Sequence, residues 1–271
     1  MTDYYDVPTD DRVCRAFATV AVQTWRDIAD FPAVEEGSIT DFRILTLKRM
    51  CPDEVRVIKF TRWEESRNGA DWEWWFGSGH HWFGMRIQAK KLDPGTLEYS
   101  HLDYSIKRTK EYQVDRLLDD ANTRGLTPLY CLYNYWRDGS VNLPWRCATF
   151  AKKLELLGVS VADAVTVRDL VYAGRKRLTD LGNRFFPLNC LTCCRGHTRR
   201  GGPGDGLPFR ARGISVLLRG AEEGISPILT HPPQYVMAAI EGVPVLEPPT
   251  PDLDGILIVQ ENPEVYAGAY A

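Results

Sequence analysis

Apolar and polar positions alternate most legibly between residues 32 and 136, and they predict elements in a definite order. Residues 36–50 (EGSITDFRILTLKRM) place Ile39, Phe42 and Leu45 on one side of a helix, and Ser38 with Asp41 has the spacing of a capping box. The β-branched run VRVIKF (55–60) predicts a strand, and Asn68-Gly69 beyond it predicts a tight turn. DWEWWF (71–76) predicts a second strand, closed by Gly77-Ser78-Gly79, and FGMRIQAK (83–90) a third. Residues 55–90 are therefore expected to form an antiparallel meander. Val114, Leu117, Leu118 and Ala121 recur at helical spacing within 109–123, and Gly125 ends that helix. PLYCLYNYW (128–136) predicts a buried strand, with the preceding helix long enough for a parallel crossover. Helix, three strands, helix and strand make an α/β unit of about 100 residues, a usual domain size.

The remainder is less periodic. Helices are expected at 146–157 and 163–181, a mobile Gly/Arg-rich loop at 195–213, and Pro-rich irregular chain at 231–255 before a strand at 256–260. The expected organisation is a helical lead-in (1–31), a core (32–136), and a helical and irregular C-terminal extension (137–271).

Composition narrows the class. Of 271 residues, 44% are apolar and 25% charged, as in a soluble globular protein. No apolar run is long enough to span a membrane, and the N-terminus lacks the pattern of a signal peptide. Seven cysteines, an odd number, fit a reducing cytoplasm better than a disulfide scaffold. The net charge of −3 conceals a gradient. Residues 1–100 carry −4, residues 101–220 carry +9, and residues 221–271 carry −8 with no Lys or Arg. A basic middle between acidic ends suits a polyanionic partner, with the acidic tail open to two readings, a shield for that basic surface or a face for a partner.

The densest candidate chemistry lies on the second and third strands. Gln88 and Lys90 project from one face, Asp71 opens the neighbouring strand, and Glu73 shares the face of Asp71. A carboxylate, an amide oxygen and an ammonium in one cleft suit a hard divalent cation beside a phosphate. His80-His81, in the turn, is placed beside this site as a candidate phosphate contact.

On these residues the chain resembles the PD-(D/E)XK, or restriction-endonuclease-like, nuclease superfamily. The resemblance implies an αβββαβ core, a mixed sheet flanked by helices. Asp71 matches the acid at the start of its second strand, and Gln88-Ala89-Lys90 matches the QxK variant on its third. It further implies a glutamate on the first core helix, Glu36 or the less favoured Glu35, as an added metal ligand. The string E…GADWEWW…IQAK, followed by PLYCLYN and PLNCLTCC, is also similar to an uncharacterised bacterial family with predicted nuclease character, of the kind associated with phage defence. That pattern points to Glu65. The resemblance thus implies an endonuclease dependent on Mg²⁺ or Mn²⁺, DNA as the favoured partner, a homodimer, and defence-operon proteins as further partners. Gln88 stands where most relatives carry a second carboxylate, so a non-cleaving nucleic-acid-binding or sensor module is the alternative.

Three further features call for a reading. Cys190, Cys193, Cys194 and His197 (CLTCCRGH) form a candidate Zn²⁺ site. Adjacent Cys193 and Cys194 rarely ligate one ion together, so Cys147 or His231 would complete it. Buried free thiols, or a zinc-containing interaction protein, are the other readings. The P-C-x-x-C of zinc deaminases needs an upstream H-x-E, which no histidine here supplies. Trp72 and Trp74 are expected in the core, while Trp75 and Trp82 are open to core packing or base stacking. Arg168, Arg175, Lys176, Arg177, Arg195, Arg199, Arg200, Arg210 and Arg212 form a basic tract able to meet phosphates.

Overall fold

The computed structural model describes residues 11–60, 71–106, 110–137, 139–195, 201–202, 204–250 and 253–261. A seven-stranded mixed sheet is flanked by helices on both faces, a three-layer α/β arrangement. Helix α1 (Arg12–Asp30) is capped by Asp11, whose carboxylate accepts the Cys14 N–H at 3.0 Å. Helix α2 (Glu36–Met50) starts at Glu35 with no side-chain cap, so the Ser38/Asp41 capping box is not used: both residues lie inside the helix. Strands β1 (Val55–Lys59), β2 (Asp71–Ser78) and β3 (His81–Lys91), helix α3 (Gln113–Arg124) and β4 (Thr127–Tyr133) follow in the expected order. Gly125 ends α3 with a left-handed φ of 65° that a side chain would strain. β3 and β4 pair in parallel across the α3 crossover.

The sheet order corrects the meander. β2 and β3 form a hairpin, but β1 does not pair with β2. The C-terminal strand β7 (Gly255–Glu261) lies between them, antiparallel to β1 and parallel to β2. β7 is apolar on both faces, with Ile256 and Ile258 on one side and Leu257 and Val259 on the other, as a central strand requires. Beyond β4 the sheet continues through β5 (Val159–Asp163) and β6 (Phe185–Pro187). The sheet therefore draws strands from both sides of residue 136.

Helices α1, α2 and α7 (Leu207–Arg219) cover one face, burying Trp72, Trp74, Met85 and Leu257. On the other face α3, α4 (Ala164–Tyr172) and α8 (Gln234–Ile240) cover Trp75, Trp82, Tyr130 and Ile258. All four described tryptophans of the hairpin are buried, so base stacking by Trp75 or Trp82 is excluded; Trp63 lies outside the described residues. Gly84 sits opposite Trp75 and makes room for it, since a Cβ there would meet the indole at 2.6 Å.

Other expectations change. Residues 146–157 are irregular up to a short 3₁₀ turn (Leu154–Gly158), and 163–181 splits into α4 and α5 (Leu178–Leu181). The expected Gly/Arg-rich loop gives way at residue 207 to α7. Arg210, 1% exposed, pairs there with Asp11 and Glu261, and Arg212 approaches Glu222 and bonds the Ser226 carbonyl. Its apolar partners, Leu207, Ala211, Ile214 and Leu218, recur at helical spacing and hold the segment in the core. Arg199 and Arg200 lie outside the described residues. Cys14 and Cys193 are joined by a disulfide that ties α1 to α6 (Cys190–Cys193), a bond the odd cysteine count did not suggest. Among the described residues no helix is long and apolar enough to cross a membrane.

Candidate metal-dependent site on the central hairpin

The hairpin register sets Asp71 directly across from Gln88, as the alternation required. Among the described residues β2 begins at Asp71, and the edge of β3 that faces β2 has no strand partner there beyond Gln88. The β3 amides alternate sides: Leu92 N–H donates to the Tyr133 carbonyl on the β4 side. The Lys91 N–H points the other way, and Glu36 Oε2 accepts it at 2.9 Å. The first turn of α2 therefore delivers its carboxylate to the notch where β2 and β3 part.

Gln88 and Lys90 lie under the helices of the α3 face and are 0% and 4% exposed. Neither nitrogen nor oxygen of the Gln88 amide has a hydrogen-bond partner among the described residues. Lys90 faces the Glu36 carboxyl, on which its charge acts. An unbonded buried amide is costly, so such groups are rare where no ligand meets them. Glu36 is half-buried. Burial pushes its carboxyl above the ordinary range, against the pull of the Lys90 charge, the Lys91 amide and His101. The Glu36 carboxyl, held against its desolvation, and the Gln88 amide oxygen are each hard oxygen donors of the kind Mg²⁺ takes. Glu65 lies outside the described residues, and so does His197; of Asp71 only the backbone is described.

A cleft of about 1090 Å³ opens beside Glu36, lined also by Lys91, Asp93, His101 and Arg137. Gln88 and Lys90 do not line it. His101 and Arg137 were not foreseen, because each stands alone in irregular chain with no periodicity to mark it. His80-His81 is displaced from the site. The turn lies at the far end of the hairpin from Asp71, roughly 20 Å away at about 3.3 Å per residue, and His81 packs on Phe209.

Glu73 is absorbed by a different arrangement on the same face. It is 0% exposed and faces Arg86 and Arg124, each at 3.8 Å, while Asp120 meets Arg86 at 3.0 Å and Arg124 at 3.2 Å. The Tyr235 hydroxyl donates to Glu73 at 2.6 Å, and the Trp75 indole N–H donates at 3.3 Å.

The cysteine cluster is also redrawn. Cys193 is taken by the disulfide, and its place beside Cys190 and Cys194 goes to Cys147; these three buried thiols can hold a metal ion. His231 is exposed and hydrogen-bonds Thr230.

Residues 13–264 match the family model described as "Family of unknown function (DUF6615)". The chain belongs to this family. No curated protein and no solved structure matches it. The family match spans β7 as well as the hairpin, so the sheet just described lies within it.

Proposed function

We propose that this DUF6615 chain is a divalent-metal-dependent endonuclease. One observation carries the reading: the buried Gln88 amide, without a hydrogen-bond partner among the described residues, and the buried Lys90, whose charge acts on the Glu36 carboxylate. Asp71, Gln88 and Glu36, with Glu65, would hold Mg²⁺ or Mn²⁺, which would supply positive charge at the scissile phosphate. Lys90 orients the attacking water and stabilises the charge that grows on the phosphoryl oxygens. Its burial among apolar neighbours keeps that charge unscreened. Lys91, His101 and Arg137 in the adjoining cleft offer the substrate backbone three donors. DNA as substrate, a homodimer, a cytoplasmic setting and a role in phage defence follow from the superfamily resemblance.

The test is incubation with Mg²⁺ or Mn²⁺ on duplex DNA, single-stranded DNA and RNA, beside Lys90→Ala. Cleavage by the wild type alone is expected. Equal cleavage by the variant, or none on any polymer, defeats the mechanism. A second reading is favoured by Gln88 itself, whose neutral side chain lowers the site's negative charge. It makes the chain a nucleic-acid-binding module that does not cut, and it predicts metal-independent binding in the same assays.

A further inference from the structure

The cysteine cluster lies on the α1/α2/α7 face of the sheet and is independent of the nuclease reading. We propose that Cys147, Cys190 and Cys194 bind a structural Zn²⁺ as thiolates. The three sulfurs lie within 4.8 Å of one another, and those of Cys147 and Cys194 are 4.0 Å apart. Zn–S bonds of about 2.3 Å in a tetrahedron place sulfurs about 3.8 Å apart, whereas a disulfide needs about 2 Å. The spacing is that of sulfurs sharing an ion.

Buried free thiols would pack as small apolar groups. These lie in the apolar core as well, but hydrogen-bond donors also converge on two of the sulfurs. The Phe150 N–H reaches Cys147 Sγ at 3.4 Å, the Asn189 side-chain amide reaches the same sulfur at 3.7 Å, and the Thr149 hydroxyl reaches Cys194 Sγ at 3.5 Å. Donors aimed at sulfur stabilise a thiolate, and they form the usual outer layer of a zinc–thiolate centre. Soft sulfur ligands select Zn²⁺ over Mg²⁺ or Ca²⁺.

The position explains what the ion would do. Cys147 lies in chain without helix or strand after β4, and Cys190 and Cys194 bracket α6. The metal would fasten that irregular stretch to α6, while the Cys14–Cys193 disulfide fastens α6 to α1. Neighbouring Cys193 and Cys194 thus serve two different links.

The test begins with elemental analysis of the full chain, purified without chelator. About one zinc per chain is expected, falling at least about tenfold in Cys147→Ser and Cys194→Ser and unchanged in Cys51→Ser. Zinc that persists in both ligand variants overturns the site. If those variants do not fold, or the wild type is recovered without metal, Co²⁺ is loaded into the wild type. Sulfur-to-cobalt charge-transfer bands with tetrahedral d–d absorption support the site, and their absence overturns it.

Discussion

Two groups of buried polar side chains share one face of the β2–β3 hairpin, a few residues apart, and they are built on opposite terms. Around Glu73 every charge meets an opposite one: Arg86 and Arg124 face Glu73 and Asp120, and Tyr235 adds a hydroxyl donor. The Gln88 amide has no described hydrogen-bond partner, although burial is just as complete, and Lys90 meets one described charge, that of Glu36. The first group has the economy of a structural network, in which removing one member strands the others. In the second, the Gln88 amide carries its desolvation cost with no described partner. Such an imbalance is tolerated at a site that receives a ligand. Burial of charge alone would have marked both groups as functional; the partner inventory separates them.

The comparison is broken most directly by Lys90→Met. Cleavage should fall about 100- to 10,000-fold, the range for losing a group that assists proton transfer, while the melting temperature stays level or rises. A marked drop in melting temperature would make Lys90 structural after all. Arg86→Met should act in reverse, destabilising the chain by about 3–5 kcal/mol because Glu73 and Asp120 lose their shared cation; urea unfolding reads this. Tyr235→Phe removes one hydroxyl donor to a charged acceptor and should cost about 1.5–3 kcal/mol in the same assay. A neutral result there would show that the two arginines suffice.

The smallest effect concerns Glu36. Its folded pKa lies above the ordinary carboxyl value because burial disfavours the charge, so the folded state binds this proton more tightly than the unfolded chain. Its contribution to stability is then greatest at low pH and declines as pH rises from the unfolded pKa through the folded one. Above that window the ionised Glu36 is a constant penalty. In EDTA, Glu36→Gln should therefore raise the melting temperature near pH 7 and leave it unchanged near pH 4. Mg²⁺ should stabilise the wild type and not the variant. A variant less stable than wild type at neutral pH would reverse the sign and show that the Lys91 amide and Lys90 outweigh burial.

Parts of this site could be read from residue order. D…QxK on alternating strands specifies which side chains share a face, and Glu36 falls where the resemblance placed it. The notch could not be read, because it depends on where β2 stops pairing, and His101 and Arg137 join the cleft from irregular chain. The segregated charge misled for the same reason. Arg210 and Glu261 lie in the segments of +9 and −8 and are 51 residues apart, yet they form a buried pair. The basic tract is thus partly consumed inside the fold, and the acidic tail supplies some of its counter-charge.

The sequence by itself determined the local elements: α2, the strands of the hairpin, α3 with its Gly125 stop, β4 and the isolated β7. Most follow from periodicity and glycine stereochemistry, which act over a few residues; α2 instead buries Ile39, Ile44 and Leu47 and leaves the expected Phe42 and Leu45 exposed. Only the tertiary structure decided that β7 enters between β1 and β2, that Cys147 replaces Cys193 beside Cys190 and Cys194, and that Gln88 lacks a partner while Glu73 has several. Each of these is a choice among distant groups of similar chemistry. Such choices are made by how whole faces pack, a property that no short window of sequence contains.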